Sequence, residues 1–174
     1  MGRMIQGKVL KLGDNINTDY IVPARYLDLY EPEELGPHAF EAYGDYREKV
    51  QGRSIVVGGE NFGLGSAREQ APNALKGAGI AAVVAKSFAR IFYRNAINLG
   101  LPLVECDTDP ISEGDILRID LAQGQVYDET RGLALRANPL PEFMVMLLNE
   151  GGMVEYLRKY KKFSVPGAAG KKGS

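Results

Sequence analysis

The sequence contains very few of the residues that usually build metal centres. Its 174 residues include one cysteine, Cys106, and one histidine, His38. One thiol excludes an intrachain disulfide, and the two side chains together cannot assemble an iron–sulfur cluster or a structural zinc site. We therefore expect this chain to bind no metal and no cofactor, and we interpret Cys106 as a buried, inert thiol.

An excess of charge of one sign and long hydrophobic runs are also missing. The formal net charge is -1 and the pI is near 5.9, which gives no basic surface for nucleic acid or an anionic membrane. No apolar run approaches the roughly 20 residues that a membrane helix needs, and residues 1–6 lack the apolar core of a signal peptide. These features predict a cytoplasmic protein with no nucleic-acid partner and no membrane association.

Length and composition predict one domain. A chain of 174 residues with 45% hydrophobic and 25% charged residues is large enough for one good core. We assign residues 1–163 to this domain. The remaining residues, 164–174, are small and polar, which predicts a disordered tail.

Short apolar runs alternating with helical patterns predict an α/β fold. Strands are expected at residues 5–12, 54–57, 80–85 and 101–105, with helices near 72–76 and at 87–99 between them. Strand–helix–strand spacing favours parallel pairing. The later segments at 115–121, 125–128 and 132–137 indicate antiparallel strands, and two short helices are expected at 141–150 and 153–161. The result is a small parallel sheet with flanking helices and an antiparallel layer.

The helix expected at 87–99 has two distinct faces. Its apolar positions share one face that we expect to be buried, namely Phe88, Ile91, Phe92, Ala96 and Leu99. Arg90 and Arg94 share another face.

A glycine-rich turn after the second strand carries the most chemically informative residues. Gly59, Gly63 and Gly65 are three glycines within seven residues, and they allow a tight turn and close backbone approach to a ligand. They precede Ser66 and Arg68 and a helical pattern. Backbone N–H groups near a helix start and a guanidinium both favour an anion, so the turn predicts an anion-binding site.

The same residues have a purely structural interpretation. Ser66 and Glu69 have the spacing of a capping box, in which the serine and the glutamate cap the first turn of a helix. Pro72 argues against it, because a proline at the sixth helical position would remove an interior hydrogen bond. We expect the helix to start near Pro72, with Ser66 in the turn before it.

Three stretches, in this order, resemble one family. They are Gly13-Asp14-Asn15-Ile16-Asn17-Thr18-Asp19-Tyr20-Ile21-Val22-Pro23, Asn61-Phe62-Gly63-Leu64-Gly65-Ser66-Ala67-Arg68-Glu69-Gln70 and Ala85-Lys86-Ser87-Phe88-Ala89-Arg90-Ile91-Phe92-Tyr93-Arg94-Asn95. The chain resembles, over nearly its whole length up to the tail, the small subunits of the isopropylmalate isomerase and homoaconitase group, which are equivalent to the swivelling domain of aconitase.

The resemblance implies a three-layer β/β/α swivelling domain and a hydro-lyase. Such an enzyme moves a hydroxyl between adjacent carbons of a small 2-hydroxy di- or tricarboxylate by dehydration and rehydration. In this family a separate large subunit holds a [4Fe-4S] cluster, whose open iron acts as a Lewis acid on the departing hydroxyl. The resemblance thus implies a heteromer in which this chain supplies the other half of the site.

The resemblance also assigns roles to residues of the glycine-rich turn. Ser66 matches the catalytic serine that removes a proton from the carbon next to a carboxylate, and Arg68 matches an arginine that binds a substrate carboxylate. Gly65 and Ala67 match neighbouring substrate-binding positions. Many family members have serine where this chain has Ala67, so the alanine cannot donate a side-chain hydrogen bond.

The resemblance implies that the loop after the first matching stretch sets specificity. We call Arg25, Tyr26, Leu27, Asp28 and Leu29 the specificity loop. The two leucines suit the isopropyl group of isopropylmalate, whereas a second terminal carboxylate, as in homocitrate, would require a cation such as Arg25. We prefer isopropylmalate, with homocitrate as the alternative substrate.

A different class of function also fits the glycine-rich turn. The chain is alternatively a binding module that holds an anion without chemistry. Arg90 and Arg94 are expected either to position Ser66 or to bind the large subunit, or simply to be solvated. A lone His38 is typical of packing or of the surface rather than of a proton shuttle.

Overall fold

The computed structural model describes residues 4–160 of the chain. The strands are β1 (Met4–Lys11), β2 (Ile55–Val57), β3 (Ala82–Ala85), β4 (Leu103–Glu105), β5 (Ile116–Asp120), β6 (Gln125–Asp128) and β7 (Leu133–Arg136). The α-helices are α1 (Thr18–Ile21), α2 (Pro32–Leu35), α3 (Gly44–Val50), α4 (Gln70–Gly77), α5 (Arg90–Asn98), α6 (Glu142–Asn149) and α7 (Met153–Tyr160). Two short 3₁₀ turns lie at Ala24–Tyr26 and Gly36–His38.

Strand β1 joins a parallel and an antiparallel half of one sheet. The strand order is β4-β3-β2-β1-β5-β6-β7. β1 pairs in parallel with β2, where Val9 lies opposite Ile55, and antiparallel with β5, where Gly7 lies opposite Leu117. The mixed α/β fold predicted from the sequence is confirmed, and the antiparallel strands continue the same hydrogen-bonded order through β1.

Burial along the strands follows from this arrangement. Every residue of β2 and β3 is buried, as expected for parallel strands that are covered on both faces. In β5 and β6 buried residues alternate with half-buried ones, which is typical of antiparallel strands with one face towards the core. Among residues 4–160, none of the helices has the length and apolar character needed to span a bilayer.

Several sequence expectations about helices were wrong in detail. α4 begins at Gln70, two residues before Pro72, because a proline in the first helical turn replaces an N–H that has no intrahelical acceptor. Ile91 is 52% exposed on α5, while Ile97 is buried in its place. Helix α3 was not predicted at all. The predicted tail, 164–174, and the last residue of the helix expected at 153–161 lie outside the described residues.

Two buried carboxyl groups face each other beside the antiparallel strands. Asp115 is 3% exposed and Asp128 is fully buried, and the two lie within hydrogen-bond reach. The Arg131 guanidinium contacts Asp115 at 2.8 Å, and the Arg131 backbone N–H donates to Asp128 Oδ1 at 3.1 Å. Asp128 Oδ2 receives no donor from the described residues.

Burial and the neighbouring carboxylate raise the pKa of Asp128. Burial alone would raise the pKa of Asp115 as well, but hydrogen bonds from Asp128, Ser112 and Arg131 hold its pKa below the ordinary value. Asp128 therefore keeps its proton to a higher pH in the folded state than in the unfolded chain, where an aspartic acid loses it at about pH 4. When the pKa of a carboxyl group is higher in the folded state than in the unfolded state, the free energy of unfolding falls as the pH rises above the pKa of the unfolded state.

We predict that Asp128→Asn raises the melting temperature at pH 7 by about 2–4 °C, which corresponds to roughly 1 kcal/mol for a domain of this size. The amide would offer Asp115 an N–H at every pH, so no proton need be retained. The gain should shrink towards pH 4, as measured by calorimetry against Glu48→Gln, an exposed acid on α3. A pH-independent difference, or a loss of stability at pH 7, would contradict this account.

Candidate active site

Two loops at the carboxyl ends of β1 and β2 form the candidate site. The first runs from residue 12 to 17 and the second, which carries Ser66, from 58 to 69. Gly63 N–H donates to Ile16 O at 2.7 Å, and Thr18 N–H donates to Leu64 O at 2.9 Å. Because the parallel pairing of β1 and β2 brings both loops to one edge of the sheet, these bonds fix them side by side.

Two glycines allow the second loop to follow the first this closely. Gly65 has φ of +101°, and a Cβ atom there would lie 2.6 Å from Asn17 Oδ1. Gly63 has φ of +85° and packs against the Phe92 ring of α5. Left-handed backbone and lack of space both require glycine at these positions. The sequence expectation that the turn depends on glycine is thus explained at Gly63 and Gly65.

Ser66 is fixed through its backbone and exposed through its side chain. The Thr18 hydroxyl, itself 1% exposed, donates to Ser66 O at 3.2 Å. Ser66 itself is exposed. The hydroxyl is therefore open to a ligand or to a covering surface, while the backbone beneath it is held in place.

Arg68 lies next to Ser66 and is fixed by Asp19. Arg68 Nη1 donates to the Asp19 carboxylate, and Arg68 Nη2 lies 3.4 Å from Ser66 Oγ. The arginine side chain is only 14% exposed. Asn17 Oδ1 accepts from Asp19 N–H at 2.9 Å and caps α1, so the first loop orients the aspartate that orients the arginine.

The backbone around Ser66 presents unused donors. Within residues 4–160, the N–H groups of residues 65–69 donate to no protein acceptor. Such a run of N–H groups beside a guanidinium favours a bound anion. The capping-box interpretation was wrong, because α4 begins at Gln70 and neither Ser66 nor Glu69 caps it through a side chain.

The specificity loop is attached to α4, the helix that follows Ser66. The Gln70 side chain donates to Leu27 O at 3.1 Å, and the Asn73 side chain donates to Tyr30 O at 3.1 Å. Leu27 is 39% exposed, whereas Leu29 packs against the core. The loop and Ser66 thus lie on one framework through α4.

Charged groups of the specificity loop are engaged elsewhere or exposed. Arg25 Nη2 pairs with Glu41 Oε2 at 3.0 Å. The Tyr26 ring stacks on the His38 ring at 3.7 Å, and His38 Nδ1 lies 3.3 Å from Glu41, so the histidine is a packing residue of this cluster. Asp28 is exposed.

The described residues offer no metal centre. Residues 4–160 contain no group of three or more His, Cys, Asp or Glu side chains placed to hold a metal ion. Burial raises the pKa of the half-buried Cys106 to about 11, so its thiol stays protonated near neutral pH. An iron–sulfur cluster does not fit this part of the chain.

The structure brings the predicted residues Ser66 and Arg68 together, but the residues that position them, Asp19 and Gln70, were not predicted to do so. Asp19 lies in the first matching stretch and Gln70 ends the second, so both were visible as motif positions without a role. Their partners are 49 and 43 residues away in sequence, and only the fold brings them together.

Comparisons with known proteins agree on one family. Residues 4–108 match the family described as the aconitase C-terminal domain. The isopropylmalate/citramalate isomerase small subunit of Methanocaldococcus jannaschii is 51% identical over 91% of this chain and 96% of its own length. The 3-isopropylmalate dehydratase small subunit 1 of Thermotoga maritima is 51% identical over 92% of this chain and 98% of its own.

A solved structure supports the fold. The crystal structure of a 3-isopropylmalate dehydratase from Methanocaldococcus jannaschii superposes with a TM-score of 0.85 at 42% sequence identity. The match covers 91% of this chain and 96% of that one.

We predict that Gly65→Ala lowers the free energy of unfolding by about 1–3 kcal/mol, because a Cβ atom would require a strained backbone and displace Asn17. Chemical denaturation measures the change. Gly13→Ala is the matched control, since no atom lies within 4 Å of its Cβ position. Equal stability of the two variants would show that the loops do not constrain residue 65.

Proposed function

Because this chain belongs to the aconitase C-terminal domain family, we propose that it is the small subunit of a hydro-lyase that interconverts 2-isopropylmalate and 3-isopropylmalate. The observation that carries the proposal is the exposed Ser66 hydroxyl 3.4 Å from the Arg68 guanidinium, beside a run of free backbone N–H groups. The names of the two relatives support the substrate class.

Ser66 is the base in this proposal. Its deprotonated oxygen takes the proton from the carbon next to a substrate carboxylate while the C–O bond on the adjacent carbon breaks and the hydroxyl leaves as hydroxide, which leaves an alkene. Rehydration then adds a hydroxyl to the carbon that lost the proton and a proton to the carbon that lost the hydroxyl, so Ser66 is deprotonated again for the next turnover. The iron of a [4Fe-4S] cluster supplies Lewis-acid assistance to the departing hydroxyl when it is bound.

A serine hydroxyl is a very weak acid, so its deprotonated form needs strong local stabilisation. We propose that the Arg68 guanidinium, 3.4 Å from Ser66 Oγ, supplies it together with the N–H groups of residues 65–69, which have no acceptor within residues 4–160. One such donor is worth about 3 kcal/mol in a dry site. In the isolated chain Ser66 faces solvent, where water weakens these interactions, so the chemistry requires another surface to cover the hydroxyl.

Arg68 also binds a substrate carboxylate in this proposal. A guanidinium has five N–H donors, and the contacts with Asp19 and Ser66 leave others available. The Asp19 ion pair orients the planar group before substrate arrives, which lowers the entropic cost of binding. Gly65 and Ala67 contribute backbone N–H groups to the same carboxylate.

The missing half of the site belongs to a large subunit. The described residues do not fit an iron–sulfur cluster, so we place the cluster in that partner, and we place the complex in the cytoplasm. The two relatives are named as small subunits, which supports a heteromer.

The specificity loop favours an apolar substrate branch. Leu27 is exposed on a loop fixed to α4, and Arg25, the cation that a second carboxylate would need, is paired with Glu41. We therefore prefer isopropylmalate to homocitrate. The Methanocaldococcus relative is named for isopropylmalate and citramalate, which differ in this branch, so we also propose citramalate as a second substrate here.

The first test of this function is Ser66→Ala in the complex with a cluster-loaded large subunit. Turnover of 2-isopropylmalate should fall by about 10²- to 10⁴-fold, the contribution typical of a general base, with KM nearly unchanged. Ser112→Ala is the matched control, because its side chain makes no hydrogen bond within the described residues. Near-normal turnover of Ser66→Ala would remove the assigned base. If the wild-type chain showed no activity with any large subunit, the alternative function, an anion-binding module without chemistry, would be favoured.

A second test addresses specificity. Leu27→Ala should lower kcat/KM for 2-isopropylmalate by about tenfold and leave citramalate nearly unaffected, because apolar pockets discriminate by roughly 1–3 kcal/mol per methylene. Leu133→Ala on β7, whose leucine is equally exposed at 39%, is the control. An equal loss with both substrates would show that Leu27 does not contact the branch, and preference of the wild type for homocitrate would reverse our choice of substrate.

A further inference from the structure

Helix α5 exposes two arginines that have no partner within this part of the chain. Arg90 and Arg94 are exposed and lie four residues apart. Neither guanidinium forms an ion pair or hydrogen bond with residues 4–160. Ile91, between them in sequence, is 52% exposed. Like charges at this spacing repel each other on an isolated helix, so the arrangement is unfavourable without an anionic partner.

The arginines lie on the rim of an apolar groove, which we call the α5 groove. Its volume is about 330 Å³, and it lies where α5 meets α6 and the start of α7. Besides the arginines it is lined mainly by apolar and aromatic side chains, including Tyr93, Ile97, Met144, Leu147 and Met153. Methionines adapt to the shape of an inserted side chain, which is typical of protein-binding surfaces.

Helix α5, which lines the α5 groove, is in direct contact with the loop that carries Ser66. Ala89 N–H, one residue before α5, donates to Phe62 O at 2.9 Å, in that loop. The buried Phe92 of α5 packs against Gly63 of the same loop. The exposed residues of α5 therefore belong to an element that neighbours the candidate active site.

We propose that the α5 groove is a docking surface for the large subunit, and that it binds an apolar side chain of that subunit flanked by carboxylates that pair with Arg90 and Arg94. The identity of the partner rests on the proposed function. The site around Ser66 requires a covering surface from another polypeptide. The α5 groove is a place where that polypeptide can bind, through apolar and charged contacts, on a helix that packs against the Ser66 loop.

Charge argues against the other possible occupants. A second copy of the chain, docked by twofold symmetry, would bring the arginines of one α5 towards those of the other. The chain's own segment 161–174 contains four lysines and no acidic residue, so it would add positive charge to a positive rim. An acidic segment of a different polypeptide is the occupant that matches the groove.

The test is the affinity of the Arg90→Glu/Arg94→Glu double variant for the large subunit, measured by calorimetry or biolayer interferometry over a range of salt concentrations. We expect Kd to rise by about 100-fold or more at low salt, at least tenfold for each reversed charge, and the salt dependence to weaken. At saturating large subunit, kcat should stay within about twofold of wild type. Arg136→Glu, an exposed arginine on β7 at the far edge of the sheet, is the matched control and should bind normally.

An unchanged Kd, or a loss of kcat at full occupancy, would overturn the docking proposal. The proposal would also be overturned if the double variant altered self-association of the isolated chain and left its affinity for the large subunit unchanged. The binding assay does not depend on turnover, so the two proposals fail separately. If the double variant binds the large subunit weakly and Ser66→Ala binds it normally, the docking proposal is supported even if the complex is inactive. If the double variant binds normally and Ser66→Ala is inactive, only the catalytic proposal is supported.

Discussion

The ion pair between Asp19 and Arg68 is the interaction on which the site depends. It joins helix α1, which follows the loop after β1, to the loop after β2, and it holds the guanidinium beside the Ser66 hydroxyl. Exposed salt bridges contribute little to stability, and the Asp19 side chain of this pair is 58% exposed, although the Arg68 side chain is only 14% exposed. The pair is therefore better understood as an orienting contact than as a source of stability.

In the proposed mechanism this chain supplies only half of the active site. The backbone under Ser66 is fixed by Thr18, yet Ser66 is exposed, and the N–H groups of residues 65–69 have no acceptor within residues 4–160. Anion stabilisation by such groups is strong only where water is excluded. The proposed chemistry therefore requires a second surface, and helix α5, which lines the α5 groove, is in contact with the loop that this surface would cover.

Features that depend on local sequence could be predicted, and features that depend on distant partners could not. The buried strands β2 and β3 were visible as short apolar runs because parallel strands are covered on both faces. Ser66 and Arg68 were visible through their glycine-rich turn and the family resemblance. The contacts of Arg68 with Asp19 and of Gln70 with Leu27 join residues more than 40 positions apart, which no periodicity reports. Ile91 was placed in the core because an apolar residue at an interface repeats with the same helical period as one in a core.

The most direct measurement is a crystal structure of this chain with its large subunit and an unreactive analogue of 2-isopropylmalate. We predict that Ser66 Oγ lies within about 3.5 Å of the carbon that carries the transferred proton. We also predict that a carboxylate of the analogue accepts hydrogen bonds from the Arg68 guanidinium, which remains paired with Asp19. An analogue bound away from Ser66, or a Ser66 hydroxyl that remains in bulk solvent in the assembled complex, would contradict the account.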